Sequence, residues 1–301
     1  MYLHKNFISM NNSISYAFFG TGPLAESVVA SLVRAGYIPS LIITKPDTKQ
    51  GRHMHLVEPY IKTWATIKNI PVYQPESLKD IREDSPLHNK KFDVFIVASY
   101  GKLIPDTILS LATHGALNVH PSLLPMYRGP SPIETALLHG DSTTGVTIIR
   151  LDNEMDHGDI LAQNMFTLSA EETAGTLEAL SGQVGGDLLV NVLPHYLEGT
   201  LHPLPQDHSK ATFCTKITKD MGLISLTDSI VEVRRKYRAL TPWPGLYFFI
   251  QHDGKDLRVK INSIDLITEK ESSSVSEYIL SVTPEGKKHM DFESFKRGYT
   301  T

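Results

Sequence analysis

The octapeptide FDVFIVAS, residues 92–99, constrains the fold most. It is too short for a buried helix and rich in β-branched and aromatic residues. It therefore reads as a strand covered on both faces. Such a strand needs helices above and below it, which is the parallel α/β architecture. The chain around it supplies matching pieces. SYAFF (15–19) is a short apolar run, and Leu24, Val28, Val29, Leu32 and Val33 recur at helical spacing between Pro23 and Gly36. SLIIT follows, completing a β-α-β unit. A helix is expected from Leu56 to Lys68 with Val57, Ile61, Trp64, Ala65 and Ile67 inward, then a short strand in NIPVYQP. A short helix near Ile104–Leu111, a strand in GALNVH and a helix in SPIETALLHG come next. GVTIIRL and DILAQNMFTL read as a strand pair joined by an acidic turn, the alternation in VTIIRL predicting one half-exposed face. Residues 171–199 read as a long amphipathic helix, capped by Ser169 or Thr173 and ended by Gly199. The expected class is α/β, built on a Rossmann-like, mostly parallel sheet.

The run LHPLPQDHSKA breaks the pattern with prolines and polar residues and reads as a linker. Beyond it come short strand-like pieces, LISL, GLYFFIQ, LRVKINSIDLI and YILSV. One helix, 228–238, lies among them with Ile230, Val233 and Tyr237 inward. A small β-barrel is expected there. The expected division is an extension at 1–14, an α/β domain at 15–200, a linker at 201–212 and a second domain at 213–301. Charge follows it: residues 1–205 hold 14 Lys/Arg against 20 Asp/Glu, a balance of −6, and residues 206–301 hold 15 against 13, a balance of +2. A mildly basic second domain is open to nucleic acid or to an ordinary solvated surface. No apolar run is long enough for a membrane span, and the first residues lack the apolar core of a signal peptide. A cytoplasmic protein with no membrane partner is expected. No spare apolar surface helix stands out, so a monomer is expected. A single cysteine, Cys214, allows no internal disulfide and reads as a structural thiol.

The polar residues that bear chemistry gather between Ala116 and Asp159. The turn GTGPLA is a G-x-G-x-x-A, but the next strand ends in Thr44 and Lys45 rather than in the acidic residue that a dinucleotide ribose requires. The loop KPDTKQGRHMH carries Lys45, Lys49, Arg52, His53 and His55, and is either a clamp for phosphate or a polyanion, or a solvated loop. No H-E-x-x-H pairing makes His120 a metal ligand, and neither Ser122 nor Ser131 lies in a nucleophile elbow. Asn118 and His120 stand at one strand end, and Asp156 in the turn after the next strand. An amide and an imidazole can donate to a developing oxyanion, and a carboxylate can orient the imidazole. That set suits acyl transfer from an activated amide without a covalent enzyme intermediate.

The run NVHPSLLPMYRGPSPI (118–133), followed by DHGD (156–159), resembles the signature of the 10-formyltetrahydrofolate-dependent formyltransferases. Within that superfamily FGTGPLA, KPDTKQGR, KITK from Lys216, RALTPWPG (238–245), GKK from Gly286 and RGY from Arg297 resemble the branch that formylates methionine carried on initiator tRNA. The resemblance implies that Asn118, His120 and Asp156 are catalytic and that Ser122, Leu123, Leu124 and Pro125 hold the reduced folate. It implies that Lys45, Lys49 and Arg52 meet the acceptor end of tRNA, and that the second domain is an OB-like barrel on the tRNA body. 10-Formyltetrahydrofolate would be the formyl donor, tetrahydrofolate the product, and no metal would be needed. Formyltransferases acting on an amino-sugar nucleotide share N-x-H, S-L-L-P and P-W-P-G, whereas the K-P-D-x-x-x-G-R loop and K-I-T-K favour the tRNA branch. The pattern departs from the family at Pro121 and Glu134, where glycine and glutamine are commoner, and at Met126, Tyr127, Pro130 and Ser131.

Overall fold

The computed structural model describes residues 14–50, 54–79, 81–268 and 274–299. The first unit is β1 (Tyr16–Gly20), α1 (Pro23–Arg34) and β2 (Leu41–Ile43). A small antiparallel hairpin follows, β3 (Thr48–Gln50) and β4 (His55–Val57). Then come α2 (Tyr60–Ile67), β5 (Val72–Tyr73), β6 (Val94–Ala98), α3 (Asp106–Leu109), β7 (Ala116–His120) and α4 (Pro132–His139). The antiparallel pair β8 (Thr143–Arg150) and β9 (Ile160–Thr167) leads into α5 (Ala174–Leu197). These strands form one sheet in the order β5-β2-β1-β6-β7-β8-β9, parallel from β5 to β7 and antiparallel through β8 and β9.

The central strand β6 is buried throughout, as its composition requires. Its residues alternate between two cores. Val94, Ile96 and Ala98 join Tyr16, Phe18 and the α1 residues on one face. Phe95 and Val97 join Phe19, Ile43 and Ile108 on the other. Helix α5 lies across the first face. Its glycines set the spacing: a Cβ on Gly185 would stand 2.5 Å from Val119 Cγ1, and one on Gly186 would stand 2.6 Å from the Cβ of Ser31 in α1. Thr173 caps α5, its side chain and that of Thr176 bonding each other's backbone N–H.

Three local expectations change. Helix α2 starts at Tyr60 behind Pro59, because Thr48 and Lys49 pair with Val57 and Leu56 in the hairpin; Val57 and Ile67 are consequently exposed and only Ile61 and Ala65 are buried. Strand β8 has no half-exposed face, being buried from Thr144 to Ile149. Val146 faces Gly185 of α5, and Leu123 lies over Gly145, so both sides are covered. The segment LISL makes no strand, only a single parallel bridge from Leu223 to Tyr247.

The C-terminal part contains α6 (Ile230–Leu240), β10 (Leu246–His252), β11 (Lys255–Ile264), β12 (Ile279–Pro284), β13 (Met290–Asp291) and α7 (Phe292–Tyr299). Its four strands form an antiparallel sheet in the order β10-β11-β12-β13. Among the described residues the sheet is open, with β10 and β13 at its edges. Leu246, Phe248, Val259 and Ile261 are buried in the core that continues into the parallel sheet. Tyr247, Phe249, Arg258 and Lys260 point the other way, and the Arg258 guanidinium lies 3.8 Å from the Tyr247 ring centre. Among the described residues no helix is long and apolar enough to cross a membrane.

Candidate active site

Strand β7 carries Asn118 and His120 to the end of the sheet, and the turn between β8 and β9 brings Asp156 back to them. The Asn118 amide donates to Asp156 Oδ1 at 3.3 Å. His120 Nδ1 stands 3.5 Å from the same oxygen. The backbone N–H of Gly129 donates to Asp156 Oδ2 at 2.8 Å. Asp156 reaches this position from the left-handed backbone region, φ +51°, which aspartate tolerates better than most residues. His120 is 4% exposed, and its Nε2 lies 3.0 Å from the carbonyl oxygen of Tyr127. A carbonyl only accepts, so Nε2 carries a proton. Nδ1 faces the Asp156 carboxylate. The three residues singled out in the sequence are thus brought together around one carboxylate.

They sit in a cavity of about 640 Å³, the size of a site for a drug-sized molecule. Its apolar wall includes Val97, Leu103, Ile104, Leu109, Leu151 and Met155. Its other end is formed by Glu134 of α4, Glu178 of α5 and Thr241–Trp243 from the C-terminal part. Burial raises the Glu134 carboxyl above the usual carboxylate range, and the nearby Glu178 adds to this. Burial also raises Glu178, which accepts from the N–H of Leu24 at the start of α1. Tyr100 lines the same cavity; its hydroxyl has no hydrogen-bond partner among the described residues, and burial pushes it up to about 12.

Ser122, Leu123, Leu124 and Pro125 do not line this cavity; they form the support behind His120. The Ser122 hydroxyl donates to the carbonyl of Met126 at 2.6 Å, and its own carbonyl accepts from Thr147 Oγ1 at 2.6 Å. Thr147 Oγ1 also accepts from the N–H of Leu124, and Gln163 donates to the carbonyl of Leu124. The loop is therefore pinned to β8 and β9. Lys45 is half-buried beside Gly101, and burial together with Lys102 and Lys216 lowers its pKa. Lys49 is exposed in the hairpin. Arg52 and the first part of the N-terminal extension lie outside the described residues.

Three further residues hold the acidic turn. Gly158 makes room for the acidic turn: a Cβ there would be 1.7 Å from the carbonyl oxygen of Arg150. Gln206 is 5% exposed and donates to the carbonyls of Asp156 and Gly158. Arg128 is buried and donates to Gln206 and to His208. Gly158 and Arg128 lie within the signature runs 156–159 and 118–133. Gln206 is the one that sequence reasoning missed, since nothing local marks it among the prolines of its segment.

The family described as formyl transferase matches residues 14–193, and the formyl transferase C-terminal domain matches residues 216–279. The chain is 41% identical over 242 residues to the methionyl-tRNA formyltransferase of Chloroflexus aurantiacus, covering 80% of this chain and 77% of that protein. It is 35% identical over 302 residues to that of Lactobacillus johnsonii, covering 94% and 95%. In fold it is similar to HypX from Aquifex aeolicus, solved with tetrahydrofolic acid (TM-score 0.64, 16% identity, 95% of this chain and 47% of that one). It is similar also to a 4-N formyltransferase from Francisella tularensis (TM-score 0.63, 18% identity, 85% and 99%). The matched segments cover the whole seven-stranded sheet, strands β10 and β11 of the second sheet, and every residue of the Asn118–His120–Asp156 group: the chain belongs to the formyl transferase family.

Proposed function

We propose that this enzyme moves the formyl group of 10-formyltetrahydrofolate to the α-amino group of methionyl initiator tRNA, the acceptor named for its relatives. The observation that carries the reading is one carboxylate, Asp156, that accepts from the Asn118 amide and the Gly129 N–H and faces the His120 imidazole at 3.5 Å, beside a cavity of ligand size. When bound, the folate supplies a formyl group on nitrogen, an activated amide. The reaction to be served is attack of a primary amine on that carbon, with the new C–N bond forming as the N10–C bond breaks. Asn118 and His120 place N–H donors where negative charge develops on the formyl oxygen. Asp156 fixes both donors in place beforehand, so little reorganisation is needed during reaction. His120 and Asp156 also provide the route for the proton that the attacking nitrogen must lose.

The apolar wall suits the flat ring system of a folate, while Ser122, Leu123, Leu124 and Pro125 brace His120 beside it. Lys45, Lys49 and Arg52 suit the acceptor phosphates of the tRNA. The outward face of the C-terminal sheet, with Tyr247, Phe249, Arg258 and Lys260, suits the body of an RNA. We assign the extension to 1–14, the catalytic domain to 15–200, the linker to 201–212 and the tRNA-binding domain to 213–301. The enzyme is a cytoplasmic monomer on this reading. The test is direct. Purified protein is mixed with 10-formyltetrahydrofolate and either methionyl-tRNA or an amino-sugar nucleotide. Formylation of methionyl-tRNA alone is expected, and formylation of the sugar alone overturns the acceptor.

A further inference from the structure

We infer that Gln206, in the segment between the two sheets, is the positioning residue that sets the Asp156 turn for catalysis. This rests on the reading of Asp156 as a catalytic group. Within the turn Asp152 accepts from the N–H of Glu154 and meets His157, but these contacts leave the carbonyls of Asp156 and Gly158 to be held from outside it. Asp156 lies at φ +51°, a sparsely populated conformation for any residue but glycine, and such a conformation persists where the surroundings fix it. Gln206 supplies the fixing from below. Its Nε2 donates to the carbonyl of Asp156 at 2.9 Å and to that of Gly158 at 2.8 Å. Both protons of one amide thus clamp the two sides of residue 157. The same side chain is held by its oxygen, which accepts from Arg128 Nε at 3.2 Å and from Nη2 at 2.7 Å. Arg128 belongs to the loop that gives Asp156 its other backbone contact, the Gly129 N–H. One buried amide therefore ties the carboxylate-bearing turn to the loop facing it.

The backbone of the segment is fastened on both sides of this amide. Leu204 and Ile160 exchange a pair of hydrogen bonds, each 2.8 Å, at the start of β9. Arg128 donates to the carbonyl of Thr212 at 2.9 Å and accepts from the N–H of Cys214 at 2.8 Å. Thr212 also donates to the carbonyl of Pro125, and its hydroxyl accepts from the N–H of Tyr127. His208 accepts from Arg128 and stacks on His157, the residue between the two clamped carbonyls, with ring centres 4.1 Å apart. The segment from Leu204 to Cys214 thus forms the underside of the site. A carboxylate displaced by 1 Å can cost on the order of 100-fold in rate without touching the substrate.

The experiment uses the full chain, with wild type, Gln206→Leu, Gln206→Glu, Asp156→Asn and the Asp156→Asn/Gln206→Leu double variant, and measures steady-state formyl transfer to methionyl-tRNA. Gln206→Leu is expected to lower kcat by about 30-fold, in line with a misplaced catalytic group, while KM for both substrates stays within about threefold. Gln206→Glu keeps the acceptor for Arg128 but loses both donors; it is expected to lose kcat similarly while keeping its thermal midpoint. The double variant is expected to be no slower than Asp156→Asn alone, because Gln206 acts through that carboxylate. A kcat within twofold of wild type in Gln206→Leu overturns the inference. So does a double variant whose losses multiply, which marks a structural role independent of Asp156. Full activity in Asp156→Asn instead overturns the reading of the site itself, and the two failures are told apart by that one control.

Discussion

Asp156 carries the most at the scale of single residues. It accepts from the Asn118 amide on β7 and from the Gly129 N–H in the loop that follows, and it stands 3.5 Å from His120 Nδ1. Asp156→Asn, which keeps the size and loses the charge, is expected to lower kcat by about 1000-fold, with the circular dichroism spectrum unchanged. Glu134 gives a prediction in the opposite direction, on stability. Its carboxyl titrates near 4.5 when unfolded and higher when folded, chiefly because it is buried. Between those values the folded state binds more protons than the unfolded one, so stability falls as pH rises through that window and stays lower above it. Glu134→Gln has no charged form and escapes this loss. Its melting temperature relative to wild type should therefore climb as pH rises above 4.5, and a gap that is flat with pH would refute the burial argument. The trio was legible before the structure because each member sits at a strand end or in a D-x-G turn, where local pattern and chemistry coincide. Gln206 was not, because its role comes from contacts some fifty residues away in the chain.

The elements follow the hydrophobic pattern wherever the pattern has a single reading. Strands β1, β6 and β7 and helices α1, α4 and α5 lie where their apolar periods place them. The misplaced start of α2 has a clear cause. Leu56 and Val57 suit either a helix or a strand, and pairing with Thr48 and Lys49 decides it. β8 was misjudged because alternation reveals only what a strand offers, not that a loop from elsewhere comes to cover its second face. The glycines of α5 are the sharper case. Propensity counts them as weak points, yet they let the helix lie close against α1 and β7. Gly186→Ala should destabilise the fold by about 1–3 kcal/mol despite the gain in helix propensity; urea titration measures it, and a stabilised variant would show that α5 is not tightly seated.

For the whole molecule, charge and surface follow the division into two sheets. The C-terminal sheet buries Leu246 and Phe248 on one side and shows Tyr247, Phe249, Arg258 and Lys260 on the other. Arg258→Ala should weaken methionyl-tRNA binding and reduce the slope of log affinity against log salt by about one, as read by filter binding across a salt series. An unchanged slope would remove that face from the RNA interface. The two sheets share one continuous apolar core, which composition did not reveal, since a Pro-rich run reads as a spacer and not as a part of either unit.

The fastening of Leu204 to Ile160 and of Phe213 to Arg128 also sets how this chain can be recombined with its relatives. A seam placed at residue 201 would take the underside of the catalytic centre from one parent and its upper loops from another. A seam placed after Cys214 keeps both with the same ancestor and exchanges only the C-terminal sheet proposed to meet the RNA. Chimeras of the second kind should inherit their turnover from the N-terminal parent and their RNA affinity from the C-terminal one, and chimeras of the first kind should fold but lose turnover.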